Sequence, residues 1–186
     1  AVRPEDAWAA WAPSGDCTFG EQASGARYMI CMPTSMAWHG GLLVYAHGYM
    51  AIYRDIEIPE DQMSIEGSDQ TIDEIVNSLG YAFATTSYNT NGLAVLPALS
   101  DLRDLVDIFA QEHTTPTTVL LAGVSEGGLI TTLAVEQYPE LFDGGLAMCG
   151  PYGDFNGQVN HFGDPRILFD YFFPGVMPGS PVDIPG

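Results

Sequence analysis

Gly123-Val124-Ser125-Glu126-Gly127 is the segment of this chain best suited to covalent chemistry. A serine hydroxyl becomes a useful nucleophile when a tight turn holds it clear of its neighbours and a base accepts its proton. The pentapeptide supplies the turn. It follows an apolar, strand-like run at residues 118–122 and precedes a helix-like run over 129–138. A G-x-S-x-G in that setting is a nucleophile elbow: the turn imposes an uncommon backbone conformation on the serine, and the small residues let strand and helix pack closely. Ser125 Oγ is then expected at the carboxyl end of a sheet, above a helix N-terminus that favours negative charge. The competing reading is a glycine-rich turn that happens to carry a serine. The strand–turn–helix context favours the catalytic one.

A sheet must position that serine, and the chain has the elements for one. Runs at residues 26–32, 42–46, 81–85, 118–122 and 143–149 read as strands. The run 42–46 is apolar throughout, as a strand covered on both faces should be. It leads directly into His47-Gly48-Tyr49. Ile72, Ile75, Val76 and Leu79 recur at helical spacing, and Gly80 stops them. Pro97 opens a further helix in its first turn. Leu99, Leu102, Leu105, Val106 and Phe109 form its apolar stripe, leaving Asp101, Arg103, Asp104 and Asp107 to the wet side. Strands alternating with helices predict an α/β protein with a mostly parallel sheet and helices on both faces. Right-handed crossovers place the loops holding His47 and Ser125 on one edge of that sheet.

Three regions follow. Residues 1–25 read as an irregular N-terminal arm carrying Trp8, Trp11 and Phe19, and residues 26–150 as the core. Residues 151–186 are rich in Pro, Gly and aromatics, with a short helix expected over 167–173 and no periodicity from 174 onward. The acidic excursion over 55–69, with Asp55, Glu57, Glu60, Asp61 and Glu66, lacks the regular spacing of a calcium loop and reads as a solvated loop.

Composition narrows the partners. The net charge of −19 comes from 24 acidic residues against five arginines, with no lysine. Phosphate repels such a surface, which argues against nucleic acid and anionic membranes. A salty or extracellular setting would screen the charge; composition drift is the alternative. No apolar run is long enough to span a bilayer, and Ala1-Val2-Arg3-Pro4 suits a mature N-terminus left by signal removal. Cys17 and Cys31 flank a segment that reads as a hairpin or Gly-rich loop; a disulfide between them would imply an oxidising compartment. Cys149, in an apolar run, reads as a buried, inert thiol. No Cys/His zinc spacing and no dinucleotide or phosphate loop is present, so neither metal nor cofactor is expected.

The order of these motifs (strand, His-Gly-x, helix, strand, helix, strand, G-x-S-x-G, helix, strand) resembles the first two-thirds of the α/β-hydrolase catalytic core, over about residues 26–150. It is similar to secreted esterase-like and prolyl-oligopeptidase-like members, which often continue as Gly-Gly, like Gly127-Gly128 here. The resemblance implies that Ser125 is the nucleophile, that the backbone N–H groups of Tyr49 and Glu126 form the oxyanion hole, and that His47 and Gly48 shape the oxyanion loop. Glu126 contributes its amide, its side chain being structural.

It also implies what should follow. The triad order is Ser, then an acid, then His, with acid and base on later strands. His161 is the histidine after Ser125, with Asp154 and Asp164 nearby, but no later strands carry them, and a loop or lid role is expected for it. His39 and His113 read as loop or helix-end residues. Two accounts remain: one fragment of a nicked enzyme whose C-terminal remainder supplies acid and base, which is favoured, or a truncated and inactive chain. Residues 151–186 then resemble the start of a lid whose Phe169, Phe172 and Phe173 line a pocket for the acyl or aryl group. The expected activity is that of a secreted or periplasmic serine esterase acting on a small ester without a cofactor. A peptidase with the same elbow and a non-catalytic binding or assembly module are the alternatives.

Overall fold

The computed structural model describes residues 16–65, 67 and 69–179. Residues 1–15, with Trp8 and Trp11, lie outside the described residues, as do Glu66, Ser68 and residues 180–186. The chain divides into two units, Ala1–Gly150 and Pro151–Gly186.

In the first unit the strands are β1 (Asp16–Glu21), β2 (Arg27–Met32), β3 (Gly41–Ala46), β4 (Ala82–Thr86), β5 (Thr118–Val124) and β6 (Gly144–Met148). They form one sheet in the order β1-β2-β4-β3-β5-β6. The sheet is parallel from β4 across β3 and β5 to β6, with Val44 facing Ala84 on one side and Leu121 on the other. β1 and β2 add an antiparallel hairpin beyond β4.

Successive side chains on a strand point to opposite faces, and both faces are covered. On one, Ile30, Leu42, Val44 and Leu121 pack with helices α2 (Val95–Glu112) and α3 (Glu126–Gln137). On the other, Met29, Tyr45 and Phe83 pack with Ile58, Met63 and Val76, the last from helix α1 (Ile72–Ser78). Leu102, Leu105 and Phe109 of α2 are fully buried; each such side chain contributes roughly 1.5–3 kcal/mol. The predicted architecture, helices on both faces of a mostly parallel sheet, is the one observed.

Four local expectations are corrected. Residues 16–21 are a strand, not part of an irregular arm: Cys17 pairs directly with Cys31 across the hairpin, and the two form a disulfide. Asp101 is buried rather than wet, because its carboxylate accepts the Asn89 N–H at 2.8 Å from the loop after β4. Cys149 is an exposed free thiol, since β6 pairs only with β5 and shields little around it. The short helix expected at 167–173 is the end of a longer one, α4 (Phe155–Phe172).

In the second unit, Asp154 caps α4 by accepting the Gly157 N–H at 3.0 Å. Pro165 sits inside the helix, where it removes one backbone hydrogen bond. Arg166 pairs with Asp170 at 3.1 Å and donates to the Pro178 and Gly179 carbonyls, also at 3.1 Å, tying the following segment back to the helix. None of the described α4 residues is buried. No helix among the described residues is long and apolar enough to cross a membrane.

Candidate active site

β5 delivers the chain into a turn that only small flanking residues permit. A Cβ on Gly127 would collide with the Ala46 carbonyl and lie 2.6 Å from the His47 carbonyl oxygen. One on Gly123 would strike the Gly127 backbone and lie 2.6 Å from Thr131 Oγ1. The glycines thus seat the start of α3 against the ends of β3 and β5. Ser125 between them has φ 58° and ψ −121°, a region that a side chain disfavours. Its N–H donates to the Met148 carbonyl at 2.9 Å, and its carbonyl accepts the Gly128 N–H at 3.0 Å. The residue is exposed, and its hydroxyl has no hydrogen-bond partner among the described residues.

The loop after β3 lies directly against this turn: a Cβ on Gly48 would be 3.5 Å from Ser125 Cβ. Most polar groups of its backbone have named partners. The His47 carbonyl accepts the Tyr88 hydroxyl at 3.1 Å. The Gly48 N–H donates to Gln62 Oε1 at 2.7 Å, and the Gly48 carbonyl lies 2.7 Å from His47 Nδ1. The Tyr49 carbonyl accepts Gln62 Nε2 at 3.3 Å. The Tyr49 N–H between them has no acceptor among the described residues, nor has the N–H of Glu126.

His47 is 1% exposed and stacks on Tyr88, with centroids 4.0 Å apart and planes at 22°. Burial pushes its imidazole down to about 4, and the Gly48 and Ser87 backbone groups offset only part of that. It is therefore neutral at neutral pH. Nδ1–H donates to the Gly48 carbonyl, which leaves Nε2 buried and without a partner. This histidine braces the loop from within.

Tyr88, which supports His47, holds a left-handed conformation at φ 58°. Its phenol is pushed well above the usual range by complete burial and, secondarily, by Glu126. Glu126 extends its buried carboxylate to the Ala94 N–H at 2.6 Å. Burial raises its pKa, and the Ala94 hydrogen bond opposes the rise. The side chain fastens the loop before α2 to the start of α3.

The structure thus brings Ser125, His47, Gly48, Tyr49 and the Glu126 amide together. Among the described residues of the first unit, the other histidines are placed elsewhere: His39 stacks edge-on against Tyr81 at 4.3 Å, and His113 caps α2. In the second unit His161 is an exposed residue of α4. Phe169 packs on Phe173 with centroids 5.0 Å apart, and Phe172 on Tyr171 at 5.1 Å. No cluster of metal-ligating side chains occurs among the described residues. Sequence reasoning missed Gln62 and Tyr88. Gln62 sits in a polar excursion with no periodicity, and nothing in the local sequence marks either as a support for residues 47–49.

No protein-family profile matches this sequence, and no curated protein does. Solved structures do match. Est1E from Butyrivibrio proteoclasticus aligns over 92% of this chain and 61% of its own, with a TM-score of 0.51 and 18% identity. The rice cell wall degrading esterase LipA from Xanthomonas oryzae aligns over 88% of this chain and 53% of its own, with a TM-score of 0.54 and 14% identity. The present chain has the α/β-hydrolase fold. An acylaminoacyl peptidase from Pyrococcus horikoshii shares this α/β-hydrolase core over 71% of the chain and 22% of its own, with a TM-score of 0.51 and 16% identity. Esterases and a peptidase thus both lie among the α/β-hydrolase neighbours. The chain spans about three-fifths of the length of Est1E, so it corresponds to part of that larger fold.

Proposed function

We propose that this chain carries the nucleophile and oxyanion hole of a serine hydrolase acting on carboxylic esters. Ser125 Oγ attacks the ester carbonyl while a histidine takes its proton; the tetrahedral oxyanion is held by the N–H groups of Tyr49 and Glu126. Collapse expels the alcohol, which leaves with that proton, and water then releases the acid from the acyl-enzyme. The histidine and its acid partner come from the C-terminal remainder of the same gene product. The observation that carries this reading is the pair of unpartnered N–H groups beside an exposed serine at φ 58°. Preorganised donors of this kind act on charge that exists only in the transition state, and loss of one is worth about 3 kcal/mol.

The lid role of Phe169, Phe172 and Phe173 is supported by their apolar character and by the exposure of the last two. The Cys17–Cys31 disulfide supports a secreted or periplasmic location. The peptidase neighbour supports a second reading, that of a prolyl-oligopeptidase-like peptidase acting through the same elbow.

Fluorophosphonate labelling with peptide mapping tests the nucleophile, together with a mass spectrum of every polypeptide in the preparation. Labelling at Ser125 alongside a second polypeptide that carries a histidine is the expected result. A full-length gene product that does not label would overturn the reading. Turnover of an aryl ester but not of a peptide anilide separates esterase from peptidase, and ligand binding without any turnover would indicate a non-catalytic module.

A further inference from the structure

Gln62 stands 14 residues beyond Gly48, at the end of a short 3-10 helix, Glu60–Gln62. Its main chain is held by the core. Met63, the next residue, is fully buried, Ile58 is nearly so, and the Gln62 carbonyl accepts the Tyr45 hydroxyl at 3.3 Å. From that fixed base the side chain reaches the loop after β3. Oε1 accepts the Gly48 N–H at 2.7 Å, and Nε2 donates to the Tyr49 carbonyl and to Met50 Sδ, each at 3.3 Å.

These contacts bracket one peptide unit. The group on its near side is the Gly48 N–H, the group on its far side is the Tyr49 carbonyl, and the N–H left between them is that of Tyr49. We propose that Gln62 is a positioning residue that holds the Tyr49 N–H in place as an oxyanion donor, an inference that rests on the role proposed above for that amide. The task calls for a primary amide: one atom must accept while another, two bonds away, donates. A carboxylate retains only the acceptor, and an apolar side chain retains neither.

Gln62 touches no reacting atom, so its removal loosens a donor instead of deleting one. The oxyanion exists in the transition state and not in bound substrate, so the loss falls on kcat and leaves KM nearly unchanged. The experiment compares wild type, Gln62→Met and Gln62→Glu in the full-length gene product. Labelling by a fluorophosphonate is measured first, then kcat and KM on an aryl ester. For Gln62→Met, kcat should fall about 10- to 100-fold with KM within about twofold, a smaller loss than the 10²–10³-fold typical of deleting a donor. Gln62→Glu keeps the acceptor for Gly48 but places negative charge beside the hole, and it should lose at least as much.

Wild type that labels and turns over, with Gln62→Met equal to it in kcat, overturns the positioning role while leaving Ser125 intact. Wild type that does not label removes the underlying reading, and this inference with it. A change confined to KM, or a denaturation midpoint that falls while kcat per folded molecule is unchanged, marks Gln62 as merely structural and also overturns the proposal. Should Gln62→Met fail to fold, Gln62→Glu carries the same kcat and KM comparison.

Discussion

Replacing Ser125 by glycine should stabilise the protein relative to replacing it by alanine. Both variants delete the hydroxyl and differ by one Cβ. The native turn holds residue 125 at φ 58° and ψ −121°, where an L-residue carries roughly 1–3 kcal/mol of strain and glycine almost none. Glycine gives back part of that gain because its unfolded chain is more mobile, by about 0.4–1 kcal/mol. The net advantage of Ser125→Gly over Ser125→Ala is therefore about 1.3 kcal/mol at the middle of these ranges. At this chain length each kcal/mol moves the melting temperature by about 2–4 °C. Urea denaturation of the two variants, with equal m-values, reads the difference as a higher midpoint for glycine. Both should be inert to fluorophosphonate. A glycine variant no more stable than the alanine variant would refute the claim that the turn strains its serine.

Three further outcomes are expected. Gly127→Ala drives a Cβ into the Ala46 and His47 carbonyl groups, so it should destabilise by about 1–3 kcal/mol or more and depress labelling at Ser125; Gly163→Ala in α4, where an added Cβ would meet nothing within 4 Å beyond its chain neighbours and the helix's own backbone, should not destabilise in the same denaturation series. His47, at about 4 in the folded state against the usual 6.5 of a free imidazole, binds its proton more readily when unfolded, so stability should fall as pH drops from about 6.5 to 4, by about 3 kcal/mol in all. The raised carboxyl of Glu126 works in the opposite sense, and His47→Phe should flatten the slope of stability against pH in that window. Reducing the Cys17–Cys31 disulfide, which spans a sequence separation of 14, should cost about 3 kcal/mol, read as a lower midpoint with reductant present.

Much of the core was legible because its signals are local. Residues 42–46 and 118–122 are apolar for want of a wet face, and the stripe from Leu99 to Phe109 has the period of a helix packed on one side. β1 was not legible: Asp16, Thr18 and Glu21 show no apolar run, and the strand is defined by its partner and by Cys31. Asp101 looked solvated because a helical pattern says nothing about a loop that closes over one turn; Asn89 decides its burial. Cys149 looked buried from its neighbours in sequence, yet β6 has a strand on one side only. Pro165 and three glycines, Gly153, Gly157 and Gly163, obscured the start of α4, whose cap at Asp154 is visible only in three dimensions.

The candidate site divides along the same line. The elbow is legible in local sequence, since Gly123, Ser125 and Gly127 mark a tight strand-to-helix turn, although the Met148 carbonyl also holds it by accepting the Ser125 N–H. Which amides remain free to meet a developing charge is not encoded there. Among the described residues the Tyr49 N–H is left without an acceptor while the His47 carbonyl and the Gly48 N–H are taken, because Tyr88, 41 positions from His47, and Gln62, 14 from Gly48, are folded against this loop. Hydrogen bonds are short and directional, so a partner that distant in sequence takes up its role only once the sheet has brought the loops together.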